Sequence, residues 1–275
     1  MNFSLVFFLC FIKRISSEVY TFILYFMYVY SHMNKLLQKT DHRPWTIPQT
    51  KWTFYQEWNN AVFLHWKVNK EELTPFLPPE LELDVFDGTA WVSLVAFTME
   101  KSRIRYLPSC SLVSNFHQIN IRTYVKHRSK PGVFFLSIEA GKKISSKIAA
   151  FISELPYTYS KIKRTTESTC SKNINAQNCC DITYHIGSLI KQKEALDIWL
   201  TERYALFQNT NTALNKYEIH HIEWPLYSLK IHDIDIGYER FKFINNSPEW
   251  VGYSTGVQVI AWRKERFTLA YPNDY

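Results

Sequence analysis

A chain of 275 residues, 46% hydrophobic and 16% aromatic, is long enough for one large domain that buries roughly three quarters of its unfolded surface, and no second hydrophobic pattern asks for a second core. The net charge of +7 and pI near 9.0 come from Lys and Arg scattered along the sequence, with short clusters only at Lys101–Arg105, Lys161–Arg164 and Arg263–Arg266, which argues against a nucleic-acid partner. Five cysteines, an odd number without a C-x-x-C pair, argue against a disulfide framework or a zinc knuckle and favour a reducing, cytoplasmic setting.

Residues 1–32 form an apolar leader of two runs, Phe3–Ile12 and Val19–Tyr30, split by Lys13-Arg14. Each run is shorter than the roughly 18 to 20 residues that span a bilayer, and neither the leading positive charge nor the cleavage site of a secretory signal is present. The leader is read as an N-terminal extension with Met33 as the functional start; membrane anchoring through it is the alternative. Residues 33–50, with His42, Pro44, Trp45 and Pro48, read as an extended arm, and residues 51–275 as a single domain.

Within that domain, Trp52–Val68 alternates and ends in a strand, and Asn69 caps a short helix whose Leu73, Phe76 and Leu77 form the buried stripe before Pro78-Pro79. Leu81, Leu83 and Val85 alternate with acidic residues, Asp87-Gly88 supplies a hairpin turn, and Trp91–Phe97 returns. Gln118–Val125 is the next strand, turned by Lys130-Pro131-Gly132 into its antiparallel partner Val133–Ala140. Helical character follows at Lys143–Ser153 and at Ser188–Tyr204. Asp181–Ile186, Lys216–Ile222 and Gly256–Trp262 read as further strands, the first of them after a polar loop containing Cys179-Cys180. Many short antiparallel strands with few helices give an α+β protein on a closed or strongly curved sheet.

The strand Gln118–Val125 is the most informative stretch. Ile119, Ile121, Thr123 and Val125 fall on one face, and Gln118, Asn120, Arg122 and Tyr124 on the other. If the polar face looks inward, the permanently charged Arg122 must meet an anion: either a ligand carboxylate, with Gln118, Asn120 and Tyr124 supplying further hydrogen bonds, or a protein carboxylate, Glu139 or Glu57. His65, beside Trp66, is a candidate acid or base that could equally be a satisfied core residue. His220 and His221 point to opposite faces of a strand and so do not share a metal easily, and Cys170, Cys179, Cys180 and His185 lack paired metal-ligand spacing. Arg203, in Glu202-Arg203-Tyr204, reads as a structural brace.

Laid out in order, His42-Arg43-Pro44-Trp45, Phe63-Leu64-His65-Trp66, Leu77-Pro78-Pro79-Glu80, Asp87-Gly88-Thr89-Ala90-Trp91-Val92, Asn120-Ile121-Arg122-Thr123-Tyr124-Val125, Leu155-Pro156-Tyr157 and His221-Ile222-Glu223-Trp224-Pro225 resemble a bacterial YqjF-like family of uncharacterised proteins of unknown-function domain, a branch of the acetoacetate decarboxylase-like superfamily. The resemblance covers about His42 to Trp262 and implies a β-barrel or cone with flanking helices around a small-molecule cavity. Acetoacetate decarboxylases form a Schiff base on a lysine that follows a proline; at the matching place here Tyr157 follows Pro156, and Gln118 matches their pocket glutamate. A phenol cannot form an iminium, and Lys161 and Lys163 are wrongly spaced from the proline. The expected function is therefore binding of a small organic or keto acid by Gln118, Asn120, Arg122 and Tyr124, with Tyr157 or His65 as proton donor to any lysine-independent step. The alternative is a sensor or structural protein with a self-satisfied polar interior. No cofactor or metal is expected; a small carboxylate is the expected partner, and a homo-oligomer is compatible with the sequence.

Overall fold

A computed structural model describes residues 31, 33–173, 176–210 and 212–268; the apolar leader, and its reading as an extension or an anchor, lies outside them but for residue 31. Among the described residues no helix is long and apolar enough to cross a membrane. In chain order the elements are α1 (residues 33–38), β1 (Phe54–Val68), α2 (Lys70–Leu73), β2 (Glu82–Leu83), β3 (Ala90–Ile104), α3 (Ser111–Ser114), β4 (Phe116–His127), β5 (Lys130–Ala140), α4 (Lys143–Ser153) and β6 (Tyr157–Tyr159). There follow β7 (Lys161–Arg164), β8 (Ser168–Asn173), β9 (Asn178–Leu189), α5 (Ala195–Thr201), β10 (Ala205–Asn209), β11 (Ala213–His220), β12 (Leu226–Gly237), β13 (Trp250–Ala261) and β14 (Glu265–Thr268).

Among the described residues, fourteen strands make one sheet in the order β14-β11-β10-β5-β4-β3-β1-β13-β12-β9-β8-β7, with β2 on β4 and β6 on β5. Pairing is antiparallel except for β10 on β5 and β6 on β5. β11 also meets β13, with Ile219 opposite Ala261 and His220 opposite Ile260, so the strands from β13 round to β11 bend back on one another unevenly. Both faces of the central strands are buried. Val62, Leu64 and Trp66 of β1 pack with Ile119, Ile121 and Tyr184 on one side, while Phe63 packs with Val95, Phe135 and Trp224 on the other. Each such side chain contributes about 1.5 to 3 kcal/mol by burial, which is why β1 reads as an almost unbroken apolar run in its second half.

Turns follow backbone chemistry. Asp87 (φ 47°) and Gly88 (φ 80°) make the expected two-residue hairpin, closed by Phe86 opposite Thr89. The β4–β5 turn, however, is Arg128-Ser129, both at positive φ, and Lys130-Pro131-Gly132 already belongs to β5. Gly132 serves close packing: a Cβ there would lie 2.5 Å from Ala205 O on β10.

Three further expectations shift. Residues 33–38 are helical rather than extended, and Met33 and Leu36 are buried with Trp52, Tyr55, Ile260 and Trp262. Ser188 belongs to β9 and helix starts only at Ala195, because Glu194 and Asp197 form a reciprocal capping box with Asp197 accepting from Glu194 N at 2.9 Å. Cys179-Cys180 lies in β9 rather than in a loop, with Cys180 fully buried.

Candidate functional site

β4 sits between β3 and β5 with its two faces as the alternation requires. Ile119 and Ile121 join the apolar cluster, while Gln118, Asn120 and Arg122 line a cavity of about 800 Å³. Opposite them on β3 lie Phe97, Val95 and Ser93 in turn, and on β5 Ala140, Ile138 and Phe135. Between Ile121 and Arg122 the β4–β5 register slips by one residue, leaving Leu136 unpaired; this bulge keeps Ile138 and Phe135 both turned toward the cavity. Tyr157 reaches the same space from β6, its hydroxyl donating to Gln118 Oε1 at 3.3 Å, and burial raises its pKa above that of an ordinary phenol.

Arg122 is 7% exposed, and among the described residues no carboxylate lies within 4 Å of its guanidinium. Its Nε donates to Ser93 Oγ over a long 3.4 Å. Burial lowers its pKa, the neighbouring Tyr124 opposes that, and the Arg203 cation adds to it. Neither protein carboxylate considered from sequence serves it. Glu139 stands opposite Ile119 and so on the other face of the sheet, accepting from Ser171 Oγ at 3.1 Å and Asn178 Nδ2 at 3.3 Å. Glu57 accepts from Tyr55 OH at 2.7 Å and pairs with Lys101 at 3.1 Å. Two polar atoms of the cavity wall, Asn120 Oδ1 and Ser145 Oγ, are buried without a hydrogen-bond partner.

Tyr124 and His65 are not in that wall. Tyr124 is fully buried, its hydroxyl donating to Leu200 O at 2.9 Å and lying 2.8 Å from His65 Nε2. Because the hydroxyl proton is committed to the carbonyl, Nε2 carries the hydrogen and donates, which leaves His65 Nδ1 as a buried acceptor without a partner. Burial first, and the Arg122 cation second, hold the His65 pKa well below the usual histidine range. His65 is thus a neutral imidazole one layer behind the cavity, where it cannot hand a proton to a ligand directly.

Arg203 is the brace expected of it, through a partner far away in sequence. Its Nη1 meets Asp84 Oδ2 at 2.5 Å, its Nε donates to Trp199 O at 2.7 Å, and its guanidinium lies over the Trp199 and Tyr124 rings. Lys126 holds the other oxygen of Asp84 at 2.9 Å. His220 and His221 satisfy themselves on backbone carbonyls, Leu36 O at 2.9 Å and Ile222 O at 2.7 Å.

Some cavity residues were not assigned to a site from the sequence. Trp224, from the loop before β12, and Leu206 of β10 complete the apolar wall, while Arg103, Arg263 and Arg266 bring two charge clusters that looked scattered to one end of the cavity. A run of like charges near each end of a pair of strands would have revealed this had the β1–β3 and β1–β13 pairings been known.

Solved structures with a similar fold include an acetoacetate decarboxylase-like enzyme from Sphingomonas wittichii RW1, 13% identical with a TM-score of 0.55 over 80% of this chain and 94% of that one. The acetoacetate decarboxylase of Legionella pneumophila is 13% identical with a TM-score of 0.54, over 84% and 94%. The enduracididine biosynthesis enzyme MppR, in complex with pyruvate, is 14% identical with a TM-score of 0.52, over 82% and 93%. In sequence the chain is 32% identical to the uncharacterized protein YqjF of Bacillus subtilis (strain 168) over 188 residues, which is 66% of this chain and 78% of the relative. With residues 55–258 matching the family as a whole, the chain belongs to DUF2071, the uncharacterized conserved proteins of COG2071, within an acetoacetate decarboxylase-like fold.

Proposed function

We propose that this protein binds a small organic acid, keto acids included, with the ligand carboxylate on Arg122. The observation that carries this reading is a buried guanidinium that faces a cavity with no carboxylate within 4 Å among the described residues. A buried charge without a counter-charge is costly, and a ligand carboxylate supplies both the charge and the bidentate geometry. Asn120 and Gln118 on the same face offer further polar contacts, and pyruvate in the MppR complex is a keto acid of this class. The strands from β13 round to β11 fit the cone that the family resemblance implies, with this cavity as its interior.

The chemistry departs from that of a Schiff-base decarboxylase. Tyr157 follows Pro156 where that lysine would stand, and its protonated phenol, held toward Gln118, is the group placed to donate a proton to a bound enolate. Free thiols at Cys110, Cys170, Cys179 and Cys180 favour the cytoplasm as its compartment.

The test is a thermal-shift panel of two- to six-carbon carboxylates against the matching amides and alcohols. At about 100 times its dissociation constant a ligand stabilises by roughly 2.7 kcal/mol, a shift of several degrees. Carboxylate-specific shifts that vanish in Arg122→Met are expected; equal shifts with the amides would overturn the reading.

A further inference from the structure

The cavity is far larger than a three- or four-carbon acid needs. At about 800 Å³ it lies in the upper part of the range that holds drug-sized ligands. Its polarity is also graded along one direction. On β3 the cavity residues Val95, Phe97 and Met99 alternate away from Ser93, which stands opposite Arg122. Their partners on β4 run Asn120, Gln118 and Phe116, so both strands have become apolar by the Met99–Phe116 pair. Cavity-lining residues of β3 and β4 from Arg122 to Met99 are all buried, whereas Ile104 beyond Met99 is 48% exposed and the exposed Arg263 and Arg266 line that far end. The guanidinium therefore sits at the closed end of an apolar passage. From Ser93 to Met99 the strand covers six residues, about 20 Å at roughly 3.3 Å each.

We infer that the ligand is an acid with a long apolar body, an alkyl chain or linked aromatic rings extending over most of those 20 Å, whose carboxylate lies inward on Arg122 and whose body runs along Val95, Phe97 and Met99 toward the mouth. This rests on the carboxylate-binding role of Arg122 and adds the substrate class to it. A short acid would leave Phe97, Met99, Phe116 and Trp224 facing water, whereas a long one removes their surface and its own from solvent. The opposite orientation, with carboxylate at the mouth, would bury an alkyl end against an unpaired guanidinium, which is the less favourable arrangement.

Binding of straight-chain carboxylates from butyrate to dodecanoate, each below its micellar concentration, tests this by isothermal calorimetry on the full chain. Affinity is expected to rise about fourfold per methylene, the fold-change that corresponds to about 0.8 kcal/mol for each buried group, and to fall sharply across the whole series in Arg122→Met. Val95→Phe, which narrows the passage beside Asn120, is expected to abolish the gain with length that the parent shows; its thermal unfolding is followed alongside to show that it folds. A flat series in the parent protein, with butyrate binding still dependent on Arg122, would overturn the long-bodied ligand and leave the carboxylate site standing. Long acids that bind Arg122→Met as tightly as the parent would overturn the orientation, and no binding by any member would remove both readings.

Discussion

Two buried arginines in this fold make opposite demands on the same substitution. Arg122 has no carboxylate within 4 Å among the described residues, whereas Arg203 is locked to Asp84 at 2.5 Å. Arg122→Met removes a desolvated cation and keeps most of the side-chain volume, sacrificing the 3.4 Å contact to Ser93 and the interaction with the Tyr124 hydroxyl, which keeps its bonds to Leu200 O and His65. Its unliganded stability is expected to stay within about 1 kcal/mol of the parent or to rise, since both partners are neutral hydroxyls and no carboxylate is stranded. Arg203→Met instead strands the carboxylate of Asp84, with only Lys126 left on it from a half-exposed position, and is expected to cost about 3 kcal/mol. For a chain of this size 1 kcal/mol corresponds to about 2 to 4 °C, so the two variants should separate by roughly 6 to 12 °C in calorimetric melting without ligand. Urea titration at neutral pH gives the same comparison in free energy. A loss of about 3 kcal/mol or more in Arg122→Met would mean that Arg122 has an internal anionic partner, and the reasoning from an unpaired guanidinium would fail.

Incubation with acetoacetate or pyruvate and borohydride is expected to leave the protein mass unchanged, because Tyr157 occupies the place after Pro156 and Lys264, which lines the cavity, is tied to Glu154 at 2.5 Å; a reduced adduct on any cavity lysine would refute this. Stability should fall as the pH drops below about 6.5: burial lowers the pKa of His65 and His221 and takes His220 to about 4, so each is protonated more readily unfolded than folded. For His220 this is a loss of up to about 2 kcal/mol between pH 7 and pH 5, with His65 and His221 acting in the same direction, and a His220→Asn slope as steep as the parent's in urea titrations across that window would contradict the assignment. Removal of residues 1–32 is expected to leave the melting temperature unchanged, whereas Leu36→Ala, which vacates a site packed on Trp52 and Trp262, should cost about 2 to 4 kcal/mol; an unaffected Leu36→Ala protein would argue against the docking of α1.

The polar face of β4 was legible because a period of two survives in Gln118, Asn120 and Arg122 whatever lies around it, and the Asp87-Gly88 turn because both residues tolerate positive φ. Tyr124 fell on that face as well, yet the strand runs on past the end of the cavity, so position along the strand decided what alternation could not. The pairing of Arg203 with Asp84 spans 119 residues and has no local signature. Glu139 looked like a partner for Arg122 because it lies on the adjacent strand; the register, with Ile119 opposite Glu139, turns it to the other face. β8 escaped notice for a different reason: its inward residues are Thr169, Ser171 and Asn173, so it buries a polar row and shows no hydrophobic period.

The unpaired Leu136 gives β5 one residue of spare length. Its side chain wedges between two apolar clusters, while the residues on either side of it, Phe135 and Ser137, keep their partners on β4. Losing a residue elsewhere in a strand turns everything beyond it inside out; losing one here would only regularise the ladder, because Phe135 would still meet Arg122 and Ser137 would still meet Ile121. What would change is curvature, since the extra residue is what bends the sheet beside the guanidinium. A protein built this way can remodel the floor of its cavity by a single deletion while the strand order and every inward-facing side chain are inherited intact, a route to new ligand shapes that no point substitution at Phe135 or Ile138 offers.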